Sequence, residues 1–264
     1  VIAVVGLDAT LEGEEGDTGN EYGSGDKPNL NLPGLQPDII RIAKESGKPV
    51  IVVLLAGSAM ALSWEDEHVD AILDGFYPGA QGGAAIAEIL FGGANPEGKL
   101  PITFYQTTEE LPEFTDYAMK GRTYRYMENE ALYPFGYGLS YTTYAYGNLE
   151  CVKPFDAQDG ITLQVTVTNT GDREGTETLQ VYVKAKREGT PNPQLKYVKK
   201  ITLKPGESVT EEIHLSPEAF MLYDEKGNFT LEKGAYDIFV GGCQPDARSA
   251  ALTGNAPQKL TVTY

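Results

Sequence analysis

The chain has 264 residues, a length that fits one large domain or two of ordinary size. Its 38 acidic and 21 basic side chains give a formal net charge of −17. Because so acidic a surface repels phosphate backbones and anionic lipids, the composition argues against nucleic acid and membrane surfaces as partners. A neutral substrate such as a sugar fits this charge better; the alternative is that the charge serves solubility alone.

Cofactors and membrane segments find no support in the sequence. Cys151 and Cys243 are far apart and form no CxxC motif, which argues against a disulfide scaffold or a zinc site; two free thiols are favoured, with pairing left open. With only two histidines, we expect no metal and no cofactor. No apolar run reaches the roughly 18 residues of a membrane-spanning helix, and no signal peptide is visible. Cytoplasmic, periplasmic and secreted locations are all compatible with this sequence.

Residues 1–145 alternate apolar runs with amphipathic segments. The predicted strands are Val1–Val5, Pro49–Leu55 and Ala71–Tyr77, and the predicted helices are Gln36–Glu45, Glu65–His68 and Gly82–Phe91. The continuous apolar runs are typical of strands covered on both faces, and the alternation predicts a mostly parallel α/β sheet. Since the chain opens on a strand without a methionine, we expect it to be part of a longer protein.

Residues 146–264 have a different pattern of apolar and polar residues. The predicted strands are Ile161–Asn169, Glu177–Lys184, Tyr197–Leu203, Ser208–Leu215 and Gly234–Val240. Turn sequences such as Asn169-Thr-Gly171-Asp172 separate them, and no helix is predicted among them. Short, evenly spaced antiparallel strands indicate a β-sandwich. We therefore predict two domains, α/β over 1–145 and all-β over 146–264.

An acidic loop is the main candidate for chemistry. Leu11–Asp17 places four carboxylic acids in seven residues directly after the first strand. Ligands bind parallel α/β sheets at the carboxyl ends of strands, and neighbouring carboxylates raise one another's pKa toward neutrality. The alternative, favoured by composition alone, is a solvated surface loop.

Aromatic residues offer a second interpretation. The run from Tyr124 to Tyr144 could stack on a sugar, although joining two domains is its more common role. Tyr182, Tyr197 and Tyr223 would form a carbohydrate-binding platform if they shared one exposed face of the sandwich, but their alternation fits a buried face equally well. A non-catalytic carbohydrate-binding or structural module is thus the alternative to an enzyme.

Several long motifs carry a family resemblance. Val69–Tyr105 and Gly121–Tyr141 closely resemble the α/β-sandwich domain of family 3 glycoside hydrolases. The second half of the chain is similar to the fibronectin type III-like domain that follows the α/β-sandwich domain in many members of the family. The motifs Gly57–Trp64 and Leu11–Asp17 resemble most the β-xylosidase-like branch of this family.

The resemblance implies a retaining exo-glycosidase of the β-xylosidase or β-glucosidase type, acting on β-linked oligosaccharides or aryl glycosides. Its aspartate nucleophile would lie on a (β/α)8 barrel that these residues do not include, so the barrel is the implied partner and the chain alone would be inactive. Xylose, glucose and arabinose all stay open as the sugar, and so does a homodimer.

The resemblance also implies one catalytic residue. A G-L-D-x-T-x-E-x-E pattern runs from Gly6 to Glu14 and assigns the acid/base role to Glu14, with Glu12 and Glu15 as alternatives. Downstream, Lys27 stands where relatives often have arginine, and a lysine cannot make the two-pronged hydrogen bonds of a guanidinium. The role of that arginine is therefore not transferred.

Overall fold

The computed structural model describes residues 1–8, 10–12 and 27–264. The chain divides into two compact units. The first unit comprises Val1–Ala94 and Thr103–Ala118, and the second comprises Asn95–Ile102 and Met119–Tyr264. The segment before residue 146 that leads into the sandwich thus groups with the second unit, while the division into domains of 1–145 and 146–264 stays a prediction.

The first unit is built on a parallel sheet. Its strands are β1 (Ile2–Gly6), β2 (Ile51–Leu55) and β3 (Ala71–Asp74), and its helices are α1 (Gln36–Glu45), α2 (Ser63–His68) and α3 (Gly82–Leu90), with a 3-10 turn at Thr108–Glu110. The strands lie in the order β1-β2-β3, and each is parallel to its neighbour. The predicted parallel α/β architecture is confirmed.

Position in the sheet explains how each strand is buried. Val52, Val53 and Leu54 of the central strand β2 are fully buried, as a strand covered on both faces requires. In β1, by contrast, Ile2 and Val4 are exposed. The expectation that both faces of the first strand are covered is therefore wrong for the described residues, because only the face that carries Ala3 and Val5 is buried.

Backbone conformation sets where the elements of this unit end. Gly47 follows α1 with a φ of +70°, the left-handed conformation that glycine adopts without strain, so the predicted end of that helix is confirmed. Strand β3 stops at Asp74, three residues earlier than predicted, because Phe76 has a φ of +49° and cannot continue an extended strand.

The second unit is an antiparallel β-sandwich, as predicted. Its strands are β4 (Tyr144–Asp156), β5 (Gly160–Asn169), β6 (Gly175–Ala185), β7 (Gln194–Leu203), β8 (Ser208–Leu215), β11 (Ala235–Gly241) and β12 (Gln258–Thr263). They form two sheets with the strand orders β12-β11-β6-β7 and β4-β5-β8. A separate hairpin joins β9 (Leu222–Tyr223) to β10 (Phe229–Thr230). Alternate residues of β5, including Leu163 and Val165, meet side chains such as Val181 and Ile238 from the other sheet in one apolar core.

Helices in this unit correct one expectation. A short helix α4 (Thr123–Tyr126) precedes the sandwich in the chain. Residues 146–264 were expected to hold only strands, but α5 (Ala247–Thr253) lies between β11 and β12. The Asp246 carboxylate accepts the backbone N–H of Ser249 at 2.7 Å and caps the start of α5. Gly254 ends it in the left-handed conformation. None of the helices in the described parts of the chain is long and apolar enough to cross a membrane.

Asn169 organises the turn that the sequence predicted after β5. Its side chain is fully buried. The amide oxygen accepts the Thr142 hydroxyl at 2.6 Å and the Gly171 N–H at 3.1 Å, while the amide nitrogen donates to the carbonyls of Arg173 and Leu203. One side chain thus satisfies groups from several strand ends that have no access to water.

We expect Asn169→Ala to lower the free energy of unfolding by about 2–4 kcal/mol, because it leaves several buried polar groups without partners. Denaturant-induced unfolding followed by circular dichroism measures this loss. Asn228→Ala is the matched control: Asn228 is exposed and bonds Asp224 in a surface turn, so its replacement costs less than about 1 kcal/mol. Equal losses in the two variants would contradict this account.

Candidate active site at the carboxyl edge of the parallel sheet

Three segments meet where the parallel strands end. The residues that follow β1, β2 and β3 lie at the same edge of the sheet because parallel strands finish together. This edge is where parallel α/β proteins place their ligands. It is also where the sequence predicted chemistry.

Glu12 joins all three segments. Its Oε1 accepts a hydrogen bond from the Ser58 hydroxyl at 2.6 Å, and its Oε2 accepts one from the Tyr77 hydroxyl at 3.3 Å. Ser58 follows β2 and Tyr77 follows β3. The Tyr77 ring packs against Gly57, where an added Cβ would come within 2.5 Å of it. The beginning of the acidic loop is therefore directed toward Gly57.

A local turn holds Glu12 in this position. The Asp8 carboxylate accepts the backbone N–H of Thr10 at 2.8 Å and its hydroxyl at 2.6 Å. The Asp8 carbonyl accepts the N–H groups of Leu11 and Glu12. These bonds to Thr10 keep the pKa of Asp8 below its ordinary value. An ionised Asp8 thus stabilises the turn that leads to Glu12.

Lys27 contacts the same cluster. Its ammonium donates to the Ser58 hydroxyl at 2.7 Å, to the Ala59 carbonyl at 2.8 Å and to the Met60 sulfur at 3.1 Å. Three acceptors match the three N–H donors of a lysine. Because Ser58 Oγ accepts from Lys27, its own hydrogen is directed to Glu12. Ser58 thus connects a partly buried cation to a carboxylate.

Burial affects the ionisation of this lysine. It lowers the pKa of Lys27 from its ordinary value, and the nearby Glu12 carboxylate opposes that shift. A lysine at this position cannot make the forked contacts of an arginine. In the structure it instead binds three separate acceptors on the segment after β2.

Asp74 is a site residue that the sequence analysis missed. It ends β3, and its Oδ1 accepts the backbone N–H of Phe76 at 3.0 Å. Its Oδ2 is shielded from solvent and has no hydrogen-bond partner among the described residues. Burial raises the pKa of this carboxyl group, against the opposing effect of Phe76. The signal available was an acid between an apolar run and Gly75.

The other acid beside β3 has the opposite environment. Asp70 precedes the strand, and its Oδ2 accepts the backbone N–H of Val50 at 2.8 Å and lies 3.4 Å from the Lys44 ammonium. The bond from Val50 is the main reason that the pKa of Asp70 lies below its ordinary value, with Lys44 acting in the same direction. Of these two acids, Asp74 at the carboxyl edge is the one whose ionised form is destabilised in the fold.

The remaining residues that the sequence singled out either lie outside the described residues or pack elsewhere in the structure. Glu14 and Glu15 lie outside the described residues, as does the Asp26 that precedes Lys27. Trp64 stacks on His68 with ring centroids 4.3 Å apart and lies under the Arg41 guanidinium. Among the residues that the structure describes, no group of three His, Cys, Asp or Glu side chains could hold a metal ion.

The aromatic residues of the second unit are used mainly in packing. Tyr124 stacks on Phe135 at 4.2 Å and meets the edge of Tyr182 at 6.4 Å. Tyr182 is fully buried and Tyr197 packs against the core, whereas Tyr223 is 72% exposed. The three tyrosines considered as a carbohydrate platform therefore share no exposed face. Cys151 is exposed, Cys243 is buried, and both are free thiols.

We expect Asp74→Asn to stabilise the protein at neutral pH. The folded-state pKa of Asp74 is raised above its ordinary value of 3.8, so the folded state holds more protons than the unfolded state between these two values. Wild-type stability therefore falls as pH rises through that window, and the neutral amide removes this loss. Unfolding by denaturant at a series of pH values measures the effect.

Asp70→Asn is the matched control with the opposite sign. Because the folded-state pKa of Asp70 is lowered, its carboxylate stabilises the fold above the ordinary pKa, and this contribution is lost as pH falls through the folded value. The variant should be less stable than wild type at neutral pH, with a difference that shrinks on acidification. Parallel pH dependences for the two variants would contradict these assignments.

Comparison with known proteins supplies the family context. Residues 1–141 match the model of the glycosyl hydrolase family 3 C-terminal domain, and residues 177–244 match that of a fibronectin type III-like domain. A xylan 1,4-β-xylosidase of Xylanibacter ruminicola is 41% identical over 258 residues, covering 96% of this chain and 30% of that protein. A periplasmic β-glucosidase of Salmonella typhimurium is 38% identical, covering 91% of the chain and 32% of that protein.

Solved structures agree with these matches. A β-glucosidase from Erythrobacter marinus superposes with a TM-score of 0.82 at 32% identity, covering 99% of this chain and 34% of that one. A Listeria innocua β-glucosidase in complex with isofagomine gives a TM-score of 0.78 at 28% identity and likewise covers 99% of the chain and 36% of that one. The chain thus spans about a third of the length of the relatives it matches.

Proposed function

Because the chain belongs to glycosyl hydrolase family 3, we propose that it forms the non-barrel portion of a retaining, exo-acting β-glycosidase. The substrates would be oligosaccharides or aryl glycosides with a terminal β-linked xylose or glucose. The names of the similar proteins support this substrate class, since they include both β-xylosidases and β-glucosidases. The catalytic aspartate would be supplied by a (β/α)8 barrel.

The proposed chemistry needs two carboxyl groups with different roles. In a retaining glycosidase the nucleophile attacks the anomeric carbon while a carboxylic acid protonates the departing oxygen. The same group, now ionised, removes a proton from the water that releases the sugar. The two carboxyl groups are expected about 5–5.5 Å apart. The acidic loop of this chain would supply the acid/base.

The observation that carries the proposal is the anchoring of Glu12 at the carboxyl edge of the sheet. Each of its carboxylate oxygens already accepts a hydrogen bond, one from Ser58 and one from Tyr77. A group held in this way is suited to position the loop. This supports Glu14, two residues further along the chain, as the acid/base, with Glu15 and Glu12 as the alternatives.

Replacing Glu14 tests the assignment in the enzyme that carries this chain and its barrel. We expect Glu14→Gln to lower turnover about 10²–10⁴-fold on sugars with poor leaving groups, and far less on an activated aryl glycoside that leaves without protonation. In Glu14→Ala, azide should restore turnover and yield a glycosyl azide of retained configuration. Glu12→Ala and Glu15→Ala are the controls, and azide rescue confined to either one would reassign the role.

Ser58→Ala tests the positioning of the loop. It removes the hydroxyl between Lys27 and Glu12. We expect kcat to fall about 10- to 100-fold for poor leaving groups, with KM and the rate on activated substrates less affected. Ser63→Ala, which removes a hydroxyl bonded to the Gln106 carbonyl, is the control in the same unit. A loss that is equal for all leaving groups would indicate a purely structural role.

The isolated 264-residue chain should not hydrolyse aryl β-xylosides or β-glucosides, because the proposed nucleophile is on the barrel. Adding a separately produced barrel domain should restore activity if the two parts associate. Sustained hydrolysis by the chain alone, abolished by a substitution in the acidic loop, would overturn the division of catalytic groups.

A further inference from the structure

The second unit contains a cavity with both polar and apolar walls that the proposed reaction does not use. It has a volume of about 130 Å³. Its walls include the start of β4, the Glu177 end of β6, the end of β11 and the segment that follows α5. All of its lining residues belong to the second unit.

The charges in this cavity are balanced. The Lys99 ammonium donates to the Gly138 carbonyl at 2.8 Å and lies 3.4 Å from Oε1 of Glu177. The same Glu177 oxygen accepts the Thr178 N–H at 2.8 Å. Both charged side chains are largely buried, at 16% and 7% exposure. Since the two charges form a pair, the cavity favours a neutral ligand over an ion.

Two phenol hydroxyls in the cavity wall, those of Tyr144 and Tyr146, are buried without a hydrogen-bond partner among the described residues, and Tyr146 is the more deeply buried of the two. The Tyr146 Oη is shielded from solvent and makes no hydrogen bond within the described residues. Burial and the nearby Glu177 carboxylate raise the pKa of this phenol well above its ordinary value, so it keeps its proton and acts as a donor. A buried donor without a partner costs free energy, which a ligand with an acceptor recovers.

A glycine lets the carboxylate and the phenol come close to the backbone. A Cβ added to Gly242 would lie 3.0 Å from Oε1 of Glu177 and 3.1 Å from Oη of Tyr146. The carboxylate and the phenol therefore border the space that a side chain at this position would fill. A ligand that binds both groups therefore needs an acceptor for the phenol and a donor for the carboxylate, placed within a few ångströms of each other.

From this geometry we propose that the cavity binds a small neutral polyol with vicinal hydroxyl groups, of the size of a three- to five-carbon sugar or sugar alcohol. A hydroxyl accepts from Tyr146 and donates to Glu177, and its neighbour adds a second set of bonds. At the packing density of a protein interior, the cavity takes roughly six non-hydrogen atoms, with larger members extending through its opening. This inference does not rest on the glycosidase proposal.

Saturation-transfer NMR on the complete 264-residue chain tests the proposal with glycerol, xylitol and xylose as probes. We expect saturation of all three by the wild-type protein, and none of 1,5-pentanediol, which has the carbon count of xylitol without vicinal hydroxyls. The glycerol and sugar arms distinguish a general polyol site from a sugar site. No saturation of any polyol would overturn the proposal and leave the cavity to water.

Two variants locate the binding. Tyr146→Phe removes the donor and should weaken binding about tenfold. Gly242→Ala should abolish binding by filling the space. Tyr223→Phe, which changes an exposed hydroxyl outside the cavity, should have no effect. Near-ultraviolet circular dichroism checks that each variant is folded, and Tyr146→Phe keeps the test decisive if Gly242→Ala is not.

Controls separate this site from the glycosidase site. Saturation should persist in Glu12→Gln and Ser58→Ala, since both residues lie in the first unit. Unchanged binding in both cavity variants, or its loss in Glu12→Gln, would place the polyol elsewhere and overturn the inference. A failure of this kind leaves the acid/base assignment intact, because that assignment is tested by azide rescue.

Discussion

The parallel pairing of β1, β2 and β3 is the constraint on which the candidate site depends. Because the three strands run in one direction and in fixed register, the segments after them arrive at one edge with their side chains within hydrogen-bonding distance. Glu12 and Tyr77 are 65 residues apart in the chain, yet they share a hydrogen bond there. Antiparallel strands would have sent alternate loops to opposite edges.

A partly buried cation, Lys27, then orients the groups at this edge. Lys27 uses its three donors on Ser58, Ala59 and Met60, which fixes the segment after β2 and decides which way the Ser58 hydroxyl points. Its ammonium group is linked to the Glu12 carboxylate through the Ser58 hydroxyl. The arrangement resembles the supporting contacts that orient catalytic groups in other enzymes, where rigid placement counts more than the strength of each bond.

Much of the fold could be predicted from the sequence because the spacing of the apolar residues is clear. The apolar runs around Val52 and the strict alternation around Leu163 identify one parallel and one antiparallel sheet, and both are present. The long strand β4 escaped prediction because its residues are mostly exposed and register irregularities interrupt its pairing with β5. Helix α5 was missed although Asp246 and Gly254 mark its two ends.

The site was harder to predict than the fold. The density of acidic residues pointed to a loop that begins at this edge of the sheet, but the sequence pattern does not tell which oxygen accepts a hydrogen bond from which hydroxyl. Asp74 could not be distinguished from Asp70 in sequence, since both flank the same short strand. Both accept a backbone N–H, and only the fold shows that Asp70 also lies beside a lysine while Asp74 has a buried oxygen without a partner among the described residues.

Gly6, the last residue of β1, has one further consequence for this edge. Its φ is +143°, and a Cβ there would lie 1.9 Å from the Leu55 carbonyl oxygen. The Gln36 side chain meanwhile bonds both the N–H and the carbonyl of this residue. The backbones of the two strands are in direct contact at this point, and a side chain at position 6 would force β1 and β2 apart at the edge where Glu12 accepts the hydrogen bond from Ser58.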